Sequence, residues 1–250
     1  MDFKEEIGEL IGTFILVFVG CSSVACSAIL GWFPELWQVA LIWGIGVAIA
    51  IFSVRSICPA HLNPAVSFAF WMCKEIRLKQ LLTFTFAQLV GAILAGIVVY
   101  NLFNPSILLH ESLHGIKRGE PGSFVSAIMF GEFFPTINWI NAMLLEALGT
   151  FLLLISIFFA ILKFRTKENL IPIFIGLSLS VLIFFIAPYT QAGFNPARDF
   201  GPRLIAYMGG WGMEAFPNPN HGFWTVYIVG PLLGGLVASI VRPVFGKTFE

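Results

Sequence analysis

The side chains able to do chemistry in this chain are few, and they sit among residues suited to hydrocarbon. "HLNPAVSFAF" (His61 to Phe70) and "GFNPARDFGP" (Gly193 to Pro202) each carry an Asn-Pro-Ala triplet, Asn63-Pro64-Ala65 and Asn195-Pro196-Ala197, and the second adds Arg198 and Asp199. Glu9 and Glu146 stand at the start of two further apolar runs, and Gln88 lies inside another. These groups suit hydrogen bonding rather than bond making: the Asn amides and the Arg guanidinium offer donors to a passing oxygen. Nothing pairs a nucleophile with a base or an acid with a base, so no catalytic reading is supported. Around His61 there are too few ligands for a metal site. Cys21, Cys26, Cys58 and Cys73 lack CxxC or Cys/His spacing and read as packing residues, so neither metal nor cofactor is expected.

The elements that must position these residues are membrane spans. Hydrophobic residues make up 58% of the chain and charged ones 11%, against about 45–50% and about 25% in soluble domains. The net charge is zero, which gives no reason to expect a nucleic-acid partner. Six runs approach the ~20 apolar residues that a spanning helix needs: about Ile7 to Leu30, Leu36 to Val54, Leu81 to Leu102, Ile140 to Leu162, Leu170 to Pro188 and Trp224 to Val241. The acidic start "MDFKEEIGEL" lacks a basic n-region and a cleavage site, so the first run is expected to be a retained span. Two shorter pieces, starting at Pro64 and Pro196, would cover about half of the ~30 Å hydrocarbon core, so each must enter and return.

Three sequence pairs recur at nearly one offset: "ELIGTF" at Glu9 with "EALGTF" at Glu146, "LNPAV" with "FNPAR", and "LVGAILAG" at Leu89 with "IVGPLLGG" at Ile228. The chain therefore reads as a single domain of two copies, about 1–120 and about 130–250, joined by a polar stretch from Asn104 to Asn138. Three crossings per copy make the second inverted relative to the first. Lys4, Lys74, Arg77, Lys79, Lys163, Arg165, Lys167, Arg242 and Lys247 then share one side, opposite Lys117 and Arg118, which predicts cytoplasmic termini. "FNPS" at Phe103 and "PNPN" at Pro217 read as ordinary turns.

A broken helix at membrane depth survives only where protein or a water-filled cavity surrounds it. Pro64 and Pro196 suit the first helical position, with Asn63 and Asn195 as caps. Two half-helices meeting N-terminus to N-terminus place about half a positive charge each at the midplane, a barrier to cations. Glu9 and Glu146, symmetric partners, are expected to accept backbone donors of the re-entrant loops, and His61 to position the loop or line the pore. Gly91, Gly96, Gly230, Gly234 and Gly235 fit close helix packing.

With its paired Asn-Pro-Ala motifs, "GTF" helices and "GP" sixth helix, the chain resembles the aquaporin and aquaglyceroporin family over essentially its whole length. The resemblance implies an all-α membrane fold of six transmembrane helices and two re-entrant half-helices, a homotetramer in a cell membrane, and passive, bidirectional conduction of water or small uncharged solutes with ions and protons excluded. It also places Trp43, Ile183, Ala192 and Arg198 at the selectivity constriction. Water-selective members usually have His where Ile183 stands, and glycerol channels typically have Phe where Ala192 stands. Trp43 and Ile183 would form an apolar wall facing the donor-rich Arg198, which suits a solute with a carbon side and a hydroxyl side. Pro202 cannot donate to the Arg198 carbonyl, so irregular hydrogen bonding is expected there.

Asp199, where water channels usually carry a small residue, is spaced to pair with Arg203 on the helix surface. "DFGPRLIAYMGGWG" and the long polar connection resemble glycerol facilitators, whereas Tyr227 replaces a residue that is commonly Pro in that branch. The resulting expectation is a channel for glycerol or similar solutes and water. Alternatives are a wide water channel admitting hydrogen peroxide, ammonia or protonated lactic acid and, in a different class, an inverted-repeat secondary transporter.

Overall fold

The computed structural model describes residues 3–217 and 222–245. Asn218 to His221 of the sequence, which hold most of the expected "PNPN" turn, and the tail from residue 246, which holds Lys247, lie outside the described residues. Among the described residues eight α-helices follow in order: α1 Lys4–Ala28, α2 Leu36–Val54, α3 Pro64–Met72, α4 Leu78–His114, α5 Trp139–Lys163, α6 Leu170–Thr190, α7 Pro196–Ala206 and α8 Gly230–Val241. Six helical segments among the described residues are long and apolar enough to cross a membrane, the last running from Phe223 to Phe245. Its first turns, Phe223–Val229, are wide π turns. Pro231 removes the N–H that would bond to the Tyr227 carbonyl, which is the physical reason for the loosened winding there.

α3 and α7, at 9 and 11 residues, are the two half-helices. Each starts with Asn at the cap and Pro just inside: Asn63 accepts from the Ala65 N–H, and Asn195 accepts from the N–H groups of Ala197 and Arg198. α3 packs on α8 of the other copy and α7 packs on α4, so each re-entrant element is seated against the opposite half of the chain. The remaining neighbours obey the same two-fold relation: α1 lies on α4 and α2, α5 lies on α8 and α6, and α2 meets α6 across the pseudo-axis.

Close contacts at small residues occur in both copies. A Cβ on Gly91 would collide with the Leu10 carbonyl, and one on Gly234 with the Ala147 carbonyl. Gly44 and Gly176 face each other's carbonyl in the same way. Helices in lipid gain little from hiding apolar surface from one another, so such close backbone approaches, with their dispersion contacts, hold the bundle together. Side chains such as Leu82, Phe86, Val181, Phe185 and Ile240 remain exposed on the outer face, where lipid would cover them.

The structure corrects two expectations about the connection. α4 does not stop near Leu102. It continues through the expected "FNPS" turn, with Pro105 inside the helix, and ends at His114 before the left-handed Gly115. At 37 residues it is about 55 Å long, well beyond the ~30 Å core. Tertiary contacts hold this extension: Ile107 and Glu111 are buried, Glu111 pairs with Arg118 at 2.8 Å and accepts from Ser126, and Arg118 also donates to Asn104 Oδ1. Arg118 further stacks 3.8 Å over the Trp211 ring. The join between copies is therefore a shorter, packed segment that includes a 3₁₀ turn at Ser123–Ser126.

Pro202 leaves α7 helical throughout Pro196–Ala206. The Asp199–Arg203 pair forms at 2.6 Å but is fully buried beneath the connection instead of lying on a helix surface. The spacing gave the pair correctly; its cover comes from residues far away in the chain.

Phe194 and Leu62, the residues before each Asn, press their side chains onto Gly149 and Gly12 of the two "GTF" segments. Gly149→Ala would put a methyl into the Phe194 ring. Overpacking of this kind costs about 1–3 kcal/mol, so the thermal midpoint in detergent is expected to fall. An unchanged midpoint would contradict the packing described for this loop.

Candidate functional site

Both re-entrant loops arrive at the half-helices in a backbone conformation that L-residues avoid. Ala60 and Leu62 in the first loop and Ala192 and Phe194 in the second all have φ between 52° and 62°. Such residues are uncommon and persist where the surroundings over-determine them. Here a carboxylate does so in each copy. Glu9 accepts from the His61 and Leu62 N–H groups, both at 2.7 Å, and Glu146 accepts from those of Gly193 and Phe194 at 3.0 and 2.7 Å. Both carboxylates are fully buried.

Each carboxylate has further support. Gln88 donates to Glu9 at 2.8 Å and to Ser67 at 3.0 Å, and Ser67 is 3.1 Å from His61 Nδ1. In the second copy Thr190 donates its hydroxyl to Glu146 at 2.6 Å, and Tyr227 donates to the Thr190 carbonyl at 2.9 Å. Tyr227 thus secures the second loop through its hydroxyl.

The half-helices meet by exchanging hydrogen bonds. Asn63 Nδ2 donates to the Phe194 carbonyl at 2.9 Å and Asn195 Nδ2 to the Leu62 carbonyl at 2.8 Å. One hydrogen of each amide is therefore committed to the opposite loop, and the group's second hydrogen is the one available to a passing oxygen. Ala65 and Ala197 are buried directly behind the two prolines.

A cavity of about 670 Å³ runs past this junction, from Arg55 and Arg165 near one end to Arg198 and Gln191 near the other. Asn63, Asn195 and His61 line it, as do Trp43, Ile183, Ala192 and Arg198, so the structure brings the four expected constriction residues to one passage. Glu9, Glu146 and Asp199 stand outside its lining and support it from behind. Among the described residues no three His, Cys, Asp or Glu side chains gather as a metal site.

Arg198 is 4% exposed although it faces the cavity. Its guanidinium carbon lies 4.3 Å above the Trp43 ring, an arrangement in which the ring's negative face attracts the cation. Trp43 in turn lies against Gly20, where any Cβ would strike the ring. One guanidinium nitrogen, Nη2, pairs with the Glu132 carboxylate, and the other, Nη1, is buried with no partner. Ile183 and Ala192 add only hydrocarbon to this section, giving one donor-bearing side against an apolar remainder.

Glu132 was not singled out from the sequence. The available signal was modest: a single carboxylate within "SAIMFGEFFP", a stretch otherwise without charge. Its ion pair with Arg198, far along the chain on the second half-helix, could not be read from local spacing.

The role of Glu146 is open to a direct check. Glu146→Gln turns one acceptor oxygen into a donor facing a buried N–H or the Thr190 hydroxyl, a mismatch worth about 1–3 kcal/mol. Reduced thermal stability with slower solute flux in reconstituted vesicles is expected; unchanged values in both would contradict the carboxylate's role.

A solved structure described as the aquaglyceroporin from Plasmodium falciparum superposes with a TM-score of 0.78 at 25% identity, covering 97% of this chain and 98% of that one. A glycerol uptake facilitator protein of Pseudomonas aeruginosa is 33% identical over 246 residues, 95% of this chain and 86% of the relative. A propanediol uptake facilitator of Citrobacter freundii is 32% identical over 251 residues, 96% of this chain and 91% of the relative. The sequence profile of the major intrinsic proteins matches residues 1–242, and with six apolar spans and two re-entrant half-helices the chain belongs to that family of integral, multi-pass membrane channels.

Proposed function

We propose that this channel passes small polyhydroxylated solutes, glycerol first among them, together with water, and that Trp43, Ile183, Ala192 and Arg198 form its selective section. The observation that carries this reading is the division of that section into an apolar side, Trp43 and Ile183, and a buried guanidinium with one unpartnered nitrogen. A solute such as glycerol can turn its carbon backbone to the ring and its hydroxyls to the donor. Relatives named for glycerol and propanediol uptake support the same solute class. Ala192, with its short side chain, leaves the passage wider than an aromatic there would.

A secondary transporter would need carboxylates free to exchange protons with the cavity. Glu9 and Glu146 are instead occupied by backbone N–H groups and lie outside the cavity lining, which favours passive conduction. Exclusion of cations is assigned in part to the facing N-termini of α3 and α7, each equivalent to about half a positive charge.

The wider setting is part of the same reading. One domain of two inverted copies, about 1–120 and about 130–250, assembles as a homotetramer with a pore in each protomer. Both termini face the cytoplasm, because Lys4, Arg77, Lys79, Lys163 and Arg242 all sit at helix ends that belong to one side. Arg242 at the end of the last span pairs with Glu75 between α3 and α4 at 2.9 Å, which supports a shared side for those two points.

Stopped-flow light scattering on proteoliposomes tests the solute. Glycerol entry is expected to exceed that of protein-free vesicles by at least about tenfold, the effect of ~1.4 kcal/mol at the barrier. Fast water shrinkage with glycerol entry no faster than in empty vesicles would overturn the proposal in favour of a water channel. Ala192→Phe is expected to slow glycerol several-fold while leaving water less affected; equal slowing of both would remove Ala192 from the selective section.

A further inference from the structure

The connection between the two copies reaches the Arg198 side chain through Glu132. Glu132 lies between α4 and α5, is 4% exposed, and is docked on α7 by its backbone as well as its side chain. Its N–H donates to Asp199 Oδ1 at 2.7 Å, and its carbonyl accepts from Arg203 Nη2 at 2.7 Å. Asp199 and Arg203 are locked to each other by two hydrogen bonds, at 3.0 and 2.6 Å. The next residue, Phe133, donates its N–H to Gln191 Oε1 at 2.8 Å, tying the same segment to the second re-entrant loop. Gly131 allows this approach, because a Cβ there would come within 2.5 Å of the Arg203 guanidinium carbon. The Glu132 carboxylate, delivered in this way, pairs with Arg198 Nη2.

A fixed acidic partner changes what Arg198 presents. An unpaired guanidinium in a narrow, poorly hydrated passage is a full positive charge and repels cations strongly. A guanidinium in contact with a carboxylate is close to neutral at the distance of an approaching ion, yet still donates from its remaining nitrogen. We propose that Glu132 is a specificity-determining residue that positions Arg198 and cancels its charge, so that solutes meet a neutral ion pair with one unpartnered donor, and cation exclusion rests on the α3 and α7 N-termini. This rests on the reading of Arg198 as part of the selective section.

The consequence is asymmetric and separates this role from simple support of the loop. Removing Glu132 alone leaves an unbalanced cation at the constriction, which favours anions. Removing Arg198 alone leaves an unbalanced carboxylate, which favours cations. Removing both restores neutrality. The charged groups surrounding Glu132 are Arg198, Asp199, Glu146 and Arg203; burial pushes its carboxyl up, and the Arg198 guanidinium paired with it acts in the opposite direction and favours the ionised form. The cation leak left by loss of Arg198 therefore grows as pH rises and the carboxyl ionises.

The test is a cycle of four proteins reconstituted in phosphatidylcholine vesicles: wild type, Glu132→Gln, Arg198→Ala and the double variant. Potassium efflux and nitrate entry are followed from about pH 6 to about pH 9, the range in which a raised carboxyl titrates. Glycerol entry in each sample verifies an intact pore. Glu132→Gln is expected to admit nitrate at least about tenfold faster than wild type, and Arg198→Ala to leak potassium increasingly with pH. The double variant is expected to lose at least about nine-tenths of that potassium leak at the upper end of the range. Glu132→Asp, which keeps the charge, is expected to match wild type, and Glu132→Ser replaces the glutamine variant if the latter does not reconstitute.

A double variant that leaks potassium as Arg198→Ala does would overturn the proposal. So would nitrate entry in Glu132→Gln equal to that of wild type. Failure of wild type to pass glycerol would defeat the proposed solute and leave the ion comparison intact, so the two readings fail separately.

Discussion

Everything in this channel depends on satisfying backbone N–H groups at the middle of the membrane without a continuous helix. Hydrocarbon offers no partner to an exposed N–H, and each unsatisfied group there costs several kcal/mol. Glu9 and Glu146 solve the problem twice by accepting two consecutive N–H groups from each re-entrant loop. That capture holds Leu62 and Phe194 in left-handed conformations and aims Asn63 and Asn195 at each other. From it follow the facing half-helix N-termini, the reciprocal Asn bonds and the cavity beside them. Buried carboxylates in a membrane protein often signal proton movement; here both are committed to holding backbone.

The two copies share this frame and differ in what they mount on it. Val66 and Ser67 follow the first triplet, and Arg198 and Asp199 follow the second. Ser67 joins a short chain of hydrogen bonds with His61 and Gln88 within its own copy. Asp199 instead grips Arg203 and the backbone of Glu132, which brings the connection down onto the half-helix. Val66 adds an apolar wall to the cavity where Arg198 adds a charged donor. On the half-helices the departure from two-fold symmetry includes this pair of adjacent positions, and the connecting segment contacts both Arg198 and Asp199.

Much of this was readable before the structure because the signals were local. Asn-Pro before an apolar run specifies a capped helix start, and α3 and α7 begin at Pro64 and Pro196. The second span, Leu36–Val54, has the bounds that its apolar run suggested. Local reasoning failed wherever distant residues decided the outcome. Pro105 reads as a turn, yet the α4 extension is held by Arg118 and Ser126 beyond it. Asp199 and Arg203 have the spacing of an exposed pair, but the connection buries them. Glu132 carries no motif of its own, and its importance comes from the groups that meet it. Placing Trp43, Ile183 and Ala192 on the cavity wall needed the family's register, since a tryptophan or isoleucine in a membrane helix gives no sign of facing water.

The most direct test of the carboxylate account is hydrogen–deuterium exchange on the channel in lipid nanodiscs, read on peptides covering residues 59–63 and 191–195. These backbone amides border a cavity open to water, so a loop held only by packing would exchange quickly. If Glu9 and Glu146 hold them, protection is expected to approach that of the spanning helices and to exceed that of residues 117–122, and Glu9→Gln is expected to weaken it in the first loop alone. Exchange of these amides as fast as in residues 117–122 would contradict the account.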